Sequence, residues 1–83
     1  MTKSRTITDD EQFIKEIGKK IKEIRKEKGL TQLDLSVKSH CEENSIYRFE
    51  KGMSNPTIKT LFHIAQGLEV EVHELLPDQE KEK

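Results

Sequence analysis

Hydrophobic residues recur at helical spacing through most of the chain. Residues 13–28, FIKEIGKKIKEIRKEK, set Ile14, Ile17, Ile21 and Ile24 on one stripe with Lys and Arg on the remaining faces. Thr8 stands three residues ahead of Glu11, the spacing of a capping box, and Gly29 follows the last basic turn, so a first helix is expected over about 9–28. Thr31 opens TQLDLSVK, where its hydroxyl can cap a short second helix near 32–38 and Asp34 can reach back from the first turn. After a tight break at Ser39-His40-Cys41-Glu42, Ile46 and Phe49 mark a third helix that runs from Glu42 or Glu43 to Lys51 and stops at Gly52. Met53-Ser54-Asn55-Pro56 is a loop by composition. Thr57 is then the expected N-cap of a fourth helix carrying Ile58, Leu61, Phe62, Ile64, Ala65 and Leu68, with Gly67 near its end. Val70, Val72, Leu75 and Leu76 suggest a last helical turn or two, stopped by Pro77. VEVHE at 70–74 alternates apolar and polar, and is the one stretch that also fits a strand.

The expected architecture is therefore all-α: five short helices on mainly local connections. Residues 1–12 form an N-terminal extension and the start of helix 1, residues 13–76 the domain, and 77–83 a charged tail. The 83 residues suffice for one such domain. Leu, Ile, Val and Phe total 21, enough for a lean core. No apolar run is long enough to span a bilayer and no apolar segment follows the first Met, which points to a cytoplasmic protein. Cys41 is the single cysteine and the three histidines are scattered, so neither a disulfide nor a metal site is expected. Nor does the chain offer a nucleophile with a paired base or a phosphate-binding glycine loop; neither an enzyme nor a cofactor is expected. The net charge of −1 speaks at first against a nucleic-acid partner. That neutrality is an average: residues 13–52 carry 10 basic and 7 acidic side chains, whereas residues 66–83 carry 2 basic and 6 acidic.

Arg25, Gly29-Leu30-Thr31-Gln32, Glu50-Lys51-Gly52, Pro56 and Thr60-Leu61, in this order and spacing, make residues 14–76 resemble the Cro/repressor-type (Xre) helix-turn-helix family. The resemblance implies a compact five-helix, lambda-repressor-like DNA-binding domain. Its helix-turn-helix lies at about 31–51, and its third helix occupies the major groove of double-stranded DNA. It also sets Arg25 opposite Glu50 as an ion pair tying helix 1 to the end of helix 3. With Ile46 and Phe49 turned inward, Glu43, Asn44, Tyr47 and Arg48 face outward with Ser45 at the margin, and these are the candidates for reading bases. Asn44 can pair with adenine, Arg48 with guanine or a phosphate, and Glu43 with the cytosine amino group. Candidates for phosphate contact are Arg25, Thr31 and Gln32 at the start of helix 2, and Lys51, Ser54 and Asn55 beyond helix 3.

Three features depart from the family pattern. His40 stands where a glycine usually supplies positive φ, a conformation His tolerates with strain. Ser36 and Ser39 replace small apolar residues, and their hydroxyls can bond carbonyls one turn back. Cys41 fits a core position. Glu42 and Glu43 suit the helix dipole but oppose a phosphate backbone. The expected function is a small, sequence-specific transcriptional regulator, a repressor or controller. It would act as a homodimer, with Phe62, Val72, Leu75 and Leu76 as interface candidates. The alternative is a protein-interaction module or antitoxin-like partner that keeps the fold and binds DNA weakly or not at all.

Overall fold

The computed structural model describes residues 9–77. Helix α1 spans Asp10–Glu27, α2 Gln32–Ser39, α3 Glu43–Glu50 and α4 Ile58–Leu68, and a 3-10 turn follows at Val72–Leu75. The fifth helix is thus a single 3-10 turn, and no strand occurs among the described residues, VEVHE included. The Thr8 cap and the tail beyond Pro77 lie outside those residues. Within them, the Asp9 carboxylate accepts from the Glu11 N–H at 3.0 Å and caps α1.

Local chemistry sets the other boundaries. At α2 the Thr31 hydroxyl accepts from the Asp34 N–H and the Asp34 carboxylate from the Thr31 N–H, each at 2.9 Å, a complete capping box. The Thr31 N–H, and after it the Thr31 hydroxyl, favours the charged carboxylate and holds the Asp34 pKa below its usual value of 3.8. Thr57 caps α4 through the Thr60 N–H at 3.1 Å. All four helices end in the same way. In each, one residue with left-handed backbone is followed by a residue whose N–H returns to a carbonyl five positions back: Leu30 to Arg25, Cys41 to Ser36, Met53 to Arg48 and Val70 to Ala65. The left-handed residues are Gly29, His40, Gly52 and Glu69, with φ of 71°, 57°, 72° and 62°.

The core joins Ile17 and Ile21 of α1, Leu35 of α2, Ile46 of α3, Leu61, Ile64, Ala65 and Leu68 of α4, and Leu75. Cys41 packs against it half-buried. Helix α1 packs on α3, α2 on both α3 and α4, and the 3-10 turn on α1 and α4. Two glycines allow close approach. A Cβ on Gly18 would overlap the Phe49 carbonyl oxygen, so α1 touches the backbone of α3 there. Gly67 lies near the end of α4, as expected, and faces Leu35 and the Lys38 backbone of α2. The Ser36 and Ser39 hydroxyls donate to the carbonyls of Leu33 at 2.7 Å and Leu35 at 2.6 Å, so neither buried polar group is left unpaired.

Candidate nucleic-acid interface

Helices α2 and α3 are joined by the turn His40-Cys41-Glu42, and His40 makes that turn tight by taking the left-handed conformation. Helix α3 presents Ile46 and Phe49 to the interior and leaves Glu43, Asn44, Tyr47 and Arg48 exposed, with Ser45 half-buried. Lys51, one turn after Tyr47, holds its ammonium 5.8 Å from the centre of the Tyr47 ring, an arrangement that narrows where its charge can go. Glu42 caps α3 without a side-chain hydrogen bond. Together these side chains form one contiguous polar face with two carboxylates at its start and two cations at its end.

Beside it stands the first turn of α2. The capping box uses the N–H groups of Thr31 and Asp34, while those of Gln32 and Leu33 find no acceptor among the described residues. Two backbone donors at a helix N-terminus are therefore free to meet an anion. Thr31 is exposed, but its hydroxyl is already engaged as the cap.

Arg25 lies differently from what a phosphate contact requires. Its side chain is only 8% exposed and that of Glu50 only 2%. The guanidinium donates through Nε to Glu50 Oε2 at 2.6 Å, through Nη2 to Glu50 Oε1 at 3.1 Å, and through Nη1 to the Leu30 carbonyl at 2.7 Å. It is a strut between α1, the end of α3 and the loop that leads into α2. The structure thus places Arg25 in the interior, apart from the exposed phosphate candidates, because three acceptors already hold its fork.

Downstream of α3, Asn55 is exposed and Ser54 half-buried. Lys15 joins them: its side chain crosses Gly52, where an added Cβ would come within 2.7 Å of Lys15 Cγ, and it lines the same groove as Ser54 and Asn55. Nothing in the sequence separates Lys15 from the other lysines of α1; only the approach of α1 to the end of α3 singles it out. Of the interface candidates on the last elements, Leu75 is 0% exposed and belongs to the core, and Val72 and Leu76 are half-buried against it. Phe62 is 49% exposed. Ile58, four residues earlier on α4, is 80% exposed.

This arrangement has a counterpart in known proteins, for residues 21–75 match the helix-turn-helix family HTH_3. The chain belongs to that family. Among curated proteins it is 37% identical over 60 residues to an uncharacterized HTH-type transcriptional regulator, y4dJ, of Sinorhizobium fredii, covering 72% of this chain and 78% of that one. It is 35% identical over 63 residues to the HTH-type transcriptional regulator SinR of Bacillus subtilis, covering 75% of this chain and 57% of SinR. It spans less than half, 44%, of the immunity repressor of Bacillus phage phi105, at 32% identity and covering 76% of this chain. Among solved structures, the restriction-modification controller protein C.Esp1396I superposes with a TM-score of 0.71 at 40% identity over 76% of this chain and 82% of that one. C.AhdI of Aeromonas hydrophila, also a controller protein, gives a TM-score of 0.75 at 27% identity, covering 76% of this chain and 96% of that one. No helix among the described residues is long and apolar enough to cross a membrane.

Proposed function

We propose that this helix-turn-helix regulator binds double-stranded DNA sequence-specifically as a homodimer, laying α3 in the major groove. The observation that carries the reading is the outward face of α3, where Glu43, Asn44, Tyr47 and Arg48 are exposed together on a helix held at both ends by the core and the Arg25–Glu50 pair. An α-helix fits the major groove, and Asn and Arg are the side chains whose paired donors and acceptors match adenine and guanine edges. Lys51, Ser54 and Asn55 beyond α3 and Lys15 of α1, with Gln32 and the free N–H groups of α2, hold the flanking phosphates. One such helix covers a half-site, so two copies related by a twofold axis would read half-sites roughly 34–36 Å apart. The two controller proteins and the phage repressor support the regulatory role, a repressor or controller acting from the cytoplasm.

Glu42 and Glu43 favour a second reading, in which the face meets a protein and DNA binding is weak. Titration of duplex DNA from upstream of the chain's own gene at two salt concentrations separates the two. The regulator binds it far more tightly than random duplex and loses affinity as salt rises. Asn44→Ala and Arg48→Ala each weaken specific binding by about 1–3 kcal/mol while changing random-duplex binding less. Equal binding to both duplexes, unmoved by either substitution, would leave the protein-interaction reading standing alone.

A further inference from the structure

Glu50 is more than a partner for Arg25. Its Oε1 accepts two donors, Arg25 Nη2 at 3.1 Å and Gln32 Nε2 at 3.0 Å, so a single carboxylate fastens α1 and α2 to the last residue of α3. An ionised carboxylate only accepts, which fixes which end of the Gln32 amide faces it: the nitrogen must. Gln32 is half-buried on the first turn of α2, beside the two free backbone N–H groups. One of its amide hydrogens is used on Glu50. The other lies in the same plane at about 120° to the first, and its direction is settled before any ligand arrives.

The geometry points to Glu50 as a positioning residue for DNA binding, acting through Gln32. Resting on the DNA-binding reading above, the inference assigns Glu50 the task of holding the Gln32 amide so that its second N–H meets a backbone phosphate together with the N–H groups of α2. Glu50 itself touches no DNA, since its side chain is 2% exposed. A free glutamine side chain loses much rotamer freedom when it is immobilised, and one already held by Glu50 loses little on binding. The role has a sign that charge alone would not produce. Neutralising a carboxylate near a phosphate backbone should tighten binding by electrostatics. Removing a positioning contact should weaken it.

Affinities for the upstream duplex and for a random duplex of equal length would be measured for wild type, Gln32→Ala, Glu50→Gln and the double variant. The measurements would be made at low temperature, with folding followed separately by circular dichroism. Gln32→Ala is expected to weaken binding to both duplexes by roughly 10-fold or more, the range for one hydrogen bond to a charged acceptor, because phosphates carry no sequence. Glu50→Gln should weaken binding by a similar factor in the wild-type background and leave it unchanged or slightly tighter in the Gln32→Ala background. Equal losses from Glu50→Gln in both backgrounds would mean that Glu50 acts only through stability, and would overturn the proposal. A second measurement stands if Glu50→Gln fails to fold: 15N relaxation of the Gln32 side-chain amide in the free wild type. An ordered amide, with an order parameter of about 0.8, supports the proposal, whereas mobility equal to that of exposed Gln66 overturns it. Absence of wild-type binding to either duplex overturns the DNA reading itself; normal wild-type binding with independent effects of the two substitutions overturns only the role of Glu50.

Discussion

His40 carries the turn on which the helix-turn-helix depends, and it does so in a conformation that suits it poorly. Its φ of 57° is the left-handed region, where an L side chain costs about 1–2 kcal/mol relative to right-handed backbone. Glycine avoids that cost but loses roughly 0.5–1 kcal/mol more chain entropy on folding. The exposed imidazole makes no hydrogen bond among the described residues that would offset the difference. His40→Gly is therefore expected to raise the urea-unfolding free energy by about 0.5–1 kcal/mol without altering the fold. An unchanged or lower value would mean that the imidazole makes a compensating contact. The need for positive φ at His40 was visible through the family pattern, because a glycine is usual there. Arg25 and Glu50 were likewise paired by resemblance, since 25 residues separate them and no local periodicity links them. Gln32 was legible as a group at a helix start but not as a ligand of Glu50, because that contact exists only once α2 and α3 have docked.

At the scale of elements, the four helix endings show which signals a sequence carries and which it hides. Gly29 and Gly52 advertise their stops by composition, whereas Glu69 closes α4 in the same geometry with nothing in its chemistry to announce it. Starts are better marked: Thr31 with Asp34, and Thr57, place oxygens where orphan N–H groups need them. The capping box also makes a prediction about acid. The folded pKa of Asp34 lies below its unfolded value, so the stabilisation is present above that unfolded value and is lost as pH falls through the folded pKa. Thermal melts of wild type and Asp34→Asn should then differ by a constant amount near neutral pH and converge below about pH 3.8; a gap that persists in strong acid would contradict this. Gly18 is the clearest case of hidden information. Within KEIGKKIKE it looks like an indifferent break in a good helix, yet it sits where α1 meets the carbonyls of Phe49 and Glu50. In an isolated helix Gly→Ala gains up to about 1 kcal/mol. Here the added methyl must push α3 away from α1, and a net loss of about 1–3 kcal/mol is expected in urea unfolding, as for other overpacked sites. Gly18→Ala at or above wild-type stability would show that the two helices can separate freely.

The whole molecule divides its charge as the sequence suggested, and it leaves a different apolar surface from the one the sequence suggested. Residues 13–52 carry 10 basic and 7 acidic side chains, while Glu69, Glu71 and Glu74 are exposed at and beyond the end of α4. The apolar positions of the last segment go to the core, Leu75 completely, because the 3-10 turn folds back onto α1 and α4. That removes Leu75 as an interface residue and leaves Val72 and Leu76 little to offer. Leu33 and Val37 are exposed one turn apart on α2, and on α4 the exposed apolar pair is Ile58 and Phe62, likewise one turn apart. Periodicity could not separate them from the core residues of α4, since Ile58, Leu61, Phe62 and Ala65 fit a single helical stripe. If they form the seam of the dimer, burying one Ile and one Phe from each of two copies contributes at most about 6–12 kcal/mol. Association itself costs roughly 4–15 kcal/mol, so the free dimer should be weak and strengthened by an operator that holds both copies. Ile58→Asp and Phe62→Asp should shift sedimentation equilibrium toward monomer while changing folding stability by no more than about 0.5 kcal/mol, because both side chains are exposed in the monomer. Leu75→Ala, by contrast, should lower folding stability by about 2–5 kcal/mol. Both aspartate variants should lose affinity for a duplex with two half-sites and keep the wild-type value on a duplex with one. Wild-type sedimentation and wild-type binding in both would place the seam elsewhere and refute the α4 interface.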